Sequence, residues 1–280
     1  MRLRSVPIVA AALGAMALTG LAHLARAQDV EQPIIELFDP LVTRNPTPER
    51  ELELNVEYEK GDEGKEVEVE VELSWRFGER FEASIEVPVL FLMPRQGSDE
   101  SGLGDITLGG KVLVFQSTDQ PALVTLGVEL GLPTGSESRG LGGSFSFTPY
   151  VTAGIGLGPI DFIGDIGYTW VLDGPDDGAE TFAVNLAVAY KGWRQVVPML
   201  EVSFVTQTTG ANGANGGDEE GEEGENHLVG KTQVYLTPGV IVRSLSWMPA
   251  GTSFRGGVQI GLTHDREFDY RVLASFSWEF

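Results

Sequence analysis

The sequence predicts an all-β protein, a transmembrane antiparallel up-and-down β-barrel of about 12 strands, and three observations carry that expectation. Apolar and polar residues alternate with period two over long runs, as they do where successive strand side chains point to opposite faces of a sheet. Tight turns alternate with longer polar loops along the chain, a rhythm characteristic of outer-membrane barrels. Aromatic residues gather at the ends of the runs, where a barrel meets the two membrane interfaces.

The first residues read as a secretory signal peptide over 1–27. Arg2 and Arg4 precede an apolar run from Val6 to about Ala22, and Ala25-Arg26-Ala27 supplies a small-x-small cleavage pattern. Gly14 and Gly20 interrupt the run, which is too short for a membrane anchor. The mature chain is expected to begin near Gln28. Removing Arg2, Arg4 and Arg26 takes Lys plus Arg from 19 to 16 against 41 acids, a formal net charge of −25. That balance excludes electrostatic binding of nucleic acid. With no cysteine, the chain has neither a disulfide framework nor a thiolate metal site.

Residues 28–50, QDVEQPIIELFDPLVTRNPTPER, are proline-containing and weakly periodic. They are expected either to form an extended periplasmic segment or to tuck Ile34, Ile35, Leu37 and Phe38 into the barrel as a plug, since such side chains rarely stay in water. The barrel itself is expected over 51–280. Its strands are predicted at 51–59, 65–77, 81–93, 104–116, 122–133, 144–156, 160–172, 180–190, 195–207, 229–242, 253–263 and 268–280. The clearest is KEVEVEVELSWRF, in which Val67, Val69, Val71, Leu73, Trp75 and Phe77 alternate with Glu66, Glu68, Glu70, Glu72, Ser74 and Arg76. Each run is long enough to cross a bilayer as a tilted strand, which takes about 9 to 11 residues. The even links are mostly short, as at 78–80, while the odd links include 94–103, 134–143 and 208–228.

A soluble sandwich or lipocalin-like barrel is the alternative, and two features weigh against it. Trp75, Phe77, Phe81, Tyr190, Trp193, Trp247, Trp278 and Phe280 fall at the predicted periplasmic ends, with Tyr168 and Trp170 at the opposite rim. The face that would form a soluble core is too polar. Parity points Glu66, Glu68, Glu70, Glu72, Glu82, Glu86, Glu129, Asp161, Asp165 and Glu201 inward, and buried unpaired carboxylates are costly. On the last strand, Phe268, Tyr270, Val272, Ala274, Phe276, Trp278 and Phe280 form one apolar face. An outward aromatic at the last residue resembles the signal by which the barrel-assembly machinery recognises its substrates, so that machinery is an expected partner through Phe280. The expected location is the bacterial outer membrane, with membrane lipid and lipopolysaccharide as neighbours.

A more specific resemblance lies in the middle of the chain. SGLGDITLGGKVLVF (101–115), LVTLGVELGLPTGS (123–136) and FTPY (147–150) resemble the bacterial outer-membrane family named for the MetA pathway of phenol degradation. The resemblance spans roughly Leu73 to the C-terminus. It implies an outer-membrane channel for passive movement of small solutes, aromatic or hydrophobic compounds among them, and it carries over no catalytic residue. Gly104, Asp105, Pro133, Thr134 and Gly135 fall at the extracellular rim, either as shapers of loop ends or as a substrate mouth; Gly and Pro most often mark backbone geometry.

The Glu66, Glu68, Glu70, Glu72 row is the strongest electrostatic feature. Neighbours on one face lie about 7 Å apart, so the row needs water or cations opposite. Barrel closure is expected to bring inward Arg271 and Arg255 toward Glu53 and Glu57, and Lys111, Lys231 and Arg243 also point inward by parity. The candidate lumen-lining set is completed by those residues, either as a salt-bridge lattice that stiffens the barrel or as the wall of a cation-preferring pore. The loop TGANGANGGDEEGEEGEN (209–226) and the turn DGPDDG (173–178) are acidic without calcium-loop spacing. After the signal, His227 and His264 are the only histidines, and no Gly-x-Ser-x-Gly is present, so no catalytic residue, metal site or cofactor is predicted. The alternative to a channel is a structural or surface-interaction barrel with an occluded lumen and acidic extracellular loops.

Overall fold

The structure, a computed structural model, describes residues 35–62, 64–193, 195–211, 228–243 and 249–280. The proposed signal peptide, Trp247 and most of the acidic loop at 209–226 lie outside the described residues. The strands are β1 (Glu51–Gly61), β2 (Gly64–Phe77), β3 (Phe81–Pro94), β4 (Glu100–Leu103), β5 (Ile106–Ser117), β6 (Ala122–Leu132), β7 (Phe145–Leu157), β8 (Ile160–Asp173), β9 (Glu180–Tyr190), β10 (Val196–Thr209), β11 (Thr232–Arg243), β12 (Thr252–Gly261) and β13 (Phe268–Glu279). Each long strand pairs antiparallel with its neighbours, and β1 closes the sheet by pairing with both β2 and β13. Closure leaves no edge, so the backbone polar groups of the wall are satisfied within the sheet, as the interior of a bilayer requires.

The chain therefore forms a closed 12-stranded barrel with one additional short strand, β4. That strand is a continuation of its neighbour rather than a new layer. β5 pairs with the first half of β3, from Phe81↔Val112 to Glu86↔Thr107, and β4 pairs with the second half, from Val89↔Leu103 to Leu92↔Glu100. Pro88 lies opposite the break. It has no N–H to donate to the ladder, and its carbonyl instead accepts from Gly104 N at 3.0 Å.

The outer face is apolar. Leu54, Val71, Leu108, Leu126, Phe162, Ile166, Leu186, Leu200, Val258 and Phe276 are all exposed, a continuous apolar surface far larger than soluble monomers carry. The end bearing the tight turns has an aromatic rim in which Trp75 and Trp278 lie 5.8 and 5.5 Å from the Phe280 ring, and Tyr190 lies 5.9 Å from Trp193. At the loop end, Trp170 packs against Tyr168 and Phe147. The tightest turn, between Leu157 and Ile160, works because Gly158 takes φ +64°, where a Cβ would be strained.

One expectation fails on β13. The register of β1 against β13 shifts between Lys60 and Gly61, and this bulge turns Phe268 away from the outer row, since an extra residue reverses the side-chain alternation. Phe268 is 4% exposed and stacks on Tyr235 at 4.5 Å, with the Arg271 guanidinium 4.3 Å from its ring.

Candidate functional site

Residues 35–50 run through the lumen and dock on many strands of the wall. Glu201 on β10 is their main anchor. Its carboxylate accepts from the backbone N–H groups of Leu41, Val42 and Thr43 at 2.6, 3.2 and 2.8 Å, and from the Thr43 hydroxyl at 2.7 Å. Arg44 then reaches across: its Nε and Nη2 donate to the two Glu129 oxygens at 2.7 Å each, and its N and Nη1 donate to Asp165 at 2.9 and 3.2 Å. The Arg44 guanidinium also stacks over Tyr150 at 4.7 Å. Thr152, Lys111 and Thr125 donate to the carbonyls of Arg44, Asn45 and Pro46, and Glu49 N donates to Glu82 at 2.6 Å. With three prolines among residues 35–50, the segment has no ladder of its own, and wall side chains supply its backbone partners.

The same segment is held by apolar contacts near the turn end. Leu37 and Phe38, 6% and 1% exposed, pack with Leu113, Leu123, Ile163, Val197, Met199 and Ile241. Glycines on the inner wall make the room. A Cβ on Gly154 would stand 2.2 Å from Leu37 Cδ1, and one on Gly257 would stand 2.6 Å from Leu41 Cδ1.

The wall formed by β1, β2 and β3 is acidic, and the docked segment reaches it at the turn end, where Glu49 N donates to Glu82 on β3 and Arg76 Nη1 on β2 donates to the Pro48 carbonyl at 3.2 Å. The β1–β2 register sets Glu53 opposite Glu72, Glu57 opposite Glu68 and Glu59 opposite Glu66, and the β2–β3 register sets Glu72 opposite Glu86. Like charges directly opposite are destabilising, and the structure relieves part of that repulsion with cations from β13 and β12. Arg271 pairs with Glu57 at 3.3 Å and Glu59 at 2.6 Å, and Arg255 pairs with Glu53. Asn55 donates to Glu70 at 3.2 Å and Ser74 to Glu72 at 2.9 Å. A cavity of about 260 Å³ remains between this wall and the docked segment.

Most of the inward positions read from parity thus fall into two groups. Glu82, Lys111, Glu129, Asp165, Glu201 and Arg255 all contact residues 35–50. Glu53, Glu57, Glu70, Glu72 and Glu86 line the cavity, with Glu66 and Glu68 further along the same face of β2. Asp161 pairs with Lys191 at 2.6 Å at the turn end, and Arg243 follows Ile241 on the inner face of β11. Lys231, expected inward by parity, instead lies in an exposed loop before β11 and pairs with Asp265 at 2.8 Å.

Gly104, Asp105, Pro133, Thr134 and Gly135 come together as a loop clasp. Asp105 accepts from Gly135 N at 2.7 Å, Gly143 N at 2.9 Å and Ser144 N at 3.0 Å. The Thr134 hydroxyl accepts from Ile106 N and donates to the Gly104 carbonyl. Their observed contacts hold the 133–144 loop against β5.

Sequence reasoning did not find Arg44, Tyr150, Asn45 or the glycine seats. A signal for the apolar half did exist: in VVPML (196–200) apolar residues occupy both faces of the strand, which an open aqueous lumen would not need. Among the described residues no three His, Asp or Glu side chains are grouped to hold a metal ion.

A closed antiparallel barrel with an apolar exterior and a charged interior has the architecture of outer-membrane channels and porins. The family profile described as "Putative MetA-pathway of phenol degradation" matches residues 65–247; the chain belongs to that family. No curated protein matches it significantly. Among solved structures, an outer membrane channel from Pseudomonas putida F1 superposes with a TM-score of 0.64 at 11% identity, covering 88% of this chain and 100% of that one. The NanC porin gives 0.54 at 12% identity over 82% and 98% of the two chains. The KdgM porin in complex with disordered oligogalacturonate gives 0.51 at 10% identity over 82% and 99%. These likenesses show the fold.

Proposed function

We propose that the protein is a passive outer-membrane channel for small solutes, delivered by a signal peptide over residues 1–27 and recognised by the barrel-assembly machinery through Phe280. The observation that supports this reading is the cavity of about 260 Å³ left between residues 35–50 and the acidic wall. Movement through it is diffusion, without chemistry, and the wall sets selectivity: rings of Asp and Glu favour cations. Small aromatic or hydrophobic compounds, the solutes implied by the family resemblance, are expected to pass when neutral or cationic and to be repelled as carboxylates.

One observation favours a second reading. The network from Glu201, Arg44 and Glu82 holds residues 35–50 so fully that the barrel could act as a structural or surface element with its lumen closed. Liposome swelling separates the two. Refolded mature protein is expected to admit neutral small solutes faster than protein-free vesicles and to admit an anionic solute of equal size several-fold more slowly. Swelling rates equal to those of empty vesicles, with folded protein present, would establish the closed barrel.

A further inference from the structure

We propose that the lumenal cavity is a binding site for a small organic ammonium ion, a reading that rests on the channel proposal for its context but not for its test. Ten carboxylates line the cavity against three cations, Arg44, Lys111 and Arg255. Each of those cations is already engaged, Arg44 with Glu129, Lys111 with Glu82 and Arg255 with Glu53. Glu86 faces Glu72 across the β2–β3 ladder and has no hydrogen-bond or ion-pair partner among the described residues.

An acidic wall alone would ask only for solvent, but two buried groups point to a ligand. Glu51, 6% exposed, lines the cavity with its Oε1 unpartnered. Tyr150, 9% exposed, presents a hydroxyl and a ring edge to the same space. It lies flat on Gly127, where a Cβ would stand 2.1 Å from Tyr150 Cζ, so the ring is fixed against the wall.

The size and spacing select the class of ligand. A cavity of about 150 Å³ accommodates benzene, so about 260 Å³ takes one ring with a short aminoalkyl arm. A bare metal ion fits less well, because no three carboxylates converge to enclose one among the described residues. An ammonium group has three donors, which suits carboxylates spread along a ladder, while the Tyr150 ring edge and Leu273 meet an apolar body.

The test uses benzylammonium, benzyl alcohol and benzoate, three probes of one shape and different charge, titrated by calorimetry into the refolded barrel in neutral detergent. Benzylammonium is expected to bind at least tenfold more tightly than benzyl alcohol, with no heat from benzoate above the micelle blank. E72Q/E86Q is expected to reduce its affinity tenfold or more while heat-modifiable gel mobility stays native. Benzyl alcohol binding as tightly as benzylammonium, or no benzylammonium binding to folded protein, would overturn the inference. The three-probe comparison needs no variant, so it decides even if E72Q/E86Q does not refold. Because binding is read in micelles, a barrel that does not conduct would still register it, and a conducting barrel that ignores benzylammonium would refute this inference alone.

Discussion

On the β6–β11 side of the lumen the wall near the turn end presents Leu123, Ile163, Val197, Met199 and Ile241, and Leu37 and Phe38 fill the space against them. On the β1–β3 side it presents Glu53, Glu70, Glu72 and Glu86 to a cavity. Both regions face inward from one closed sheet, yet the first behaves as a packed core and the second as a solvated surface. The difference lies in what each can satisfy locally. Apolar side chains and glycine seats gain from burial by about 1.5 to 3 kcal/mol per large residue, whereas carboxylates in register need water, protons or cations. The segment that docks in the lumen therefore packs Leu37 and Phe38 on the apolar patch, ties its backbone to Glu201 and Asp165 on the same side, and leaves a cavity against Glu53, Glu70, Glu72 and Glu86.

Glu201 separates the two halves most sharply, because one carboxylate holds three consecutive amides. Glu201→Leu is expected to weaken docking of residues 35–50 by about 4 kcal/mol, since the amides lose a charged acceptor and stay buried. Hydrogen exchange at Leu41, Val42 and Thr43 should rise accordingly while exchange in β1–β3 is unchanged. Arg44→Met comes next, at about 3 kcal/mol, because it strands Glu129 and Asp165 without their cation. Thermal unfolding of the pair R44M and R44M/E129Q/D165N checks this, the second recovering part of the loss. Gly154→Ala is smaller, about 1 to 2 kcal/mol, as Leu37 Cδ1 must move from its seat.

Acidity should affect docking in a direction that the burial of two groups fixes. Burial raises the carboxyl of Asp39 above its ordinary 3.8 and that of Glu49 well above its ordinary 4.5. A docked state that binds protons more tightly is favoured fully below those ordinary values and loses that advantage as pH rises through the raised ones. Protease cleavage within 35–50 is therefore expected to be slower at pH 5 than at pH 8, and equal rates would show that these carboxyls do not govern docking. The smallest effect on stability belongs to the acidic wall. Glu68→Gln with Glu70→Gln should change stability by within about 0.5 kcal/mol, in the stabilising direction, because repulsion between facing glutamates falls. Its effect should appear in ion selectivity instead.

The strands were legible because period-two alternation is a direct image of the pleat, and β2 with its Val and Glu rows is the plainest case. What the alternation could not carry was irregularity. The bulge that turns Phe268 inward and the break at Gly104 opposite Pro88 are local backbone events that leave composition untouched. The acidic wall was visible through parity, as was the convergence of Arg271 and Arg255 on it. The docked segment was not, because PIIELFDPLVTRNPTPER has no period of its own and takes its shape from wall residues such as Glu201 and Thr125. That Glu129 and Asp165 serve Arg44 rather than open water depends on this docking, which no pattern within either strand encodes.

The most direct test of the channel reading is the reversal potential of the refolded mature protein in a planar bilayer under a tenfold potassium chloride gradient. A steady conductance whose reversal potential shows cation preference, shifted toward zero in E68Q/E70Q, is the predicted result. No conductance from folded protein, or preference for chloride, would contradict it.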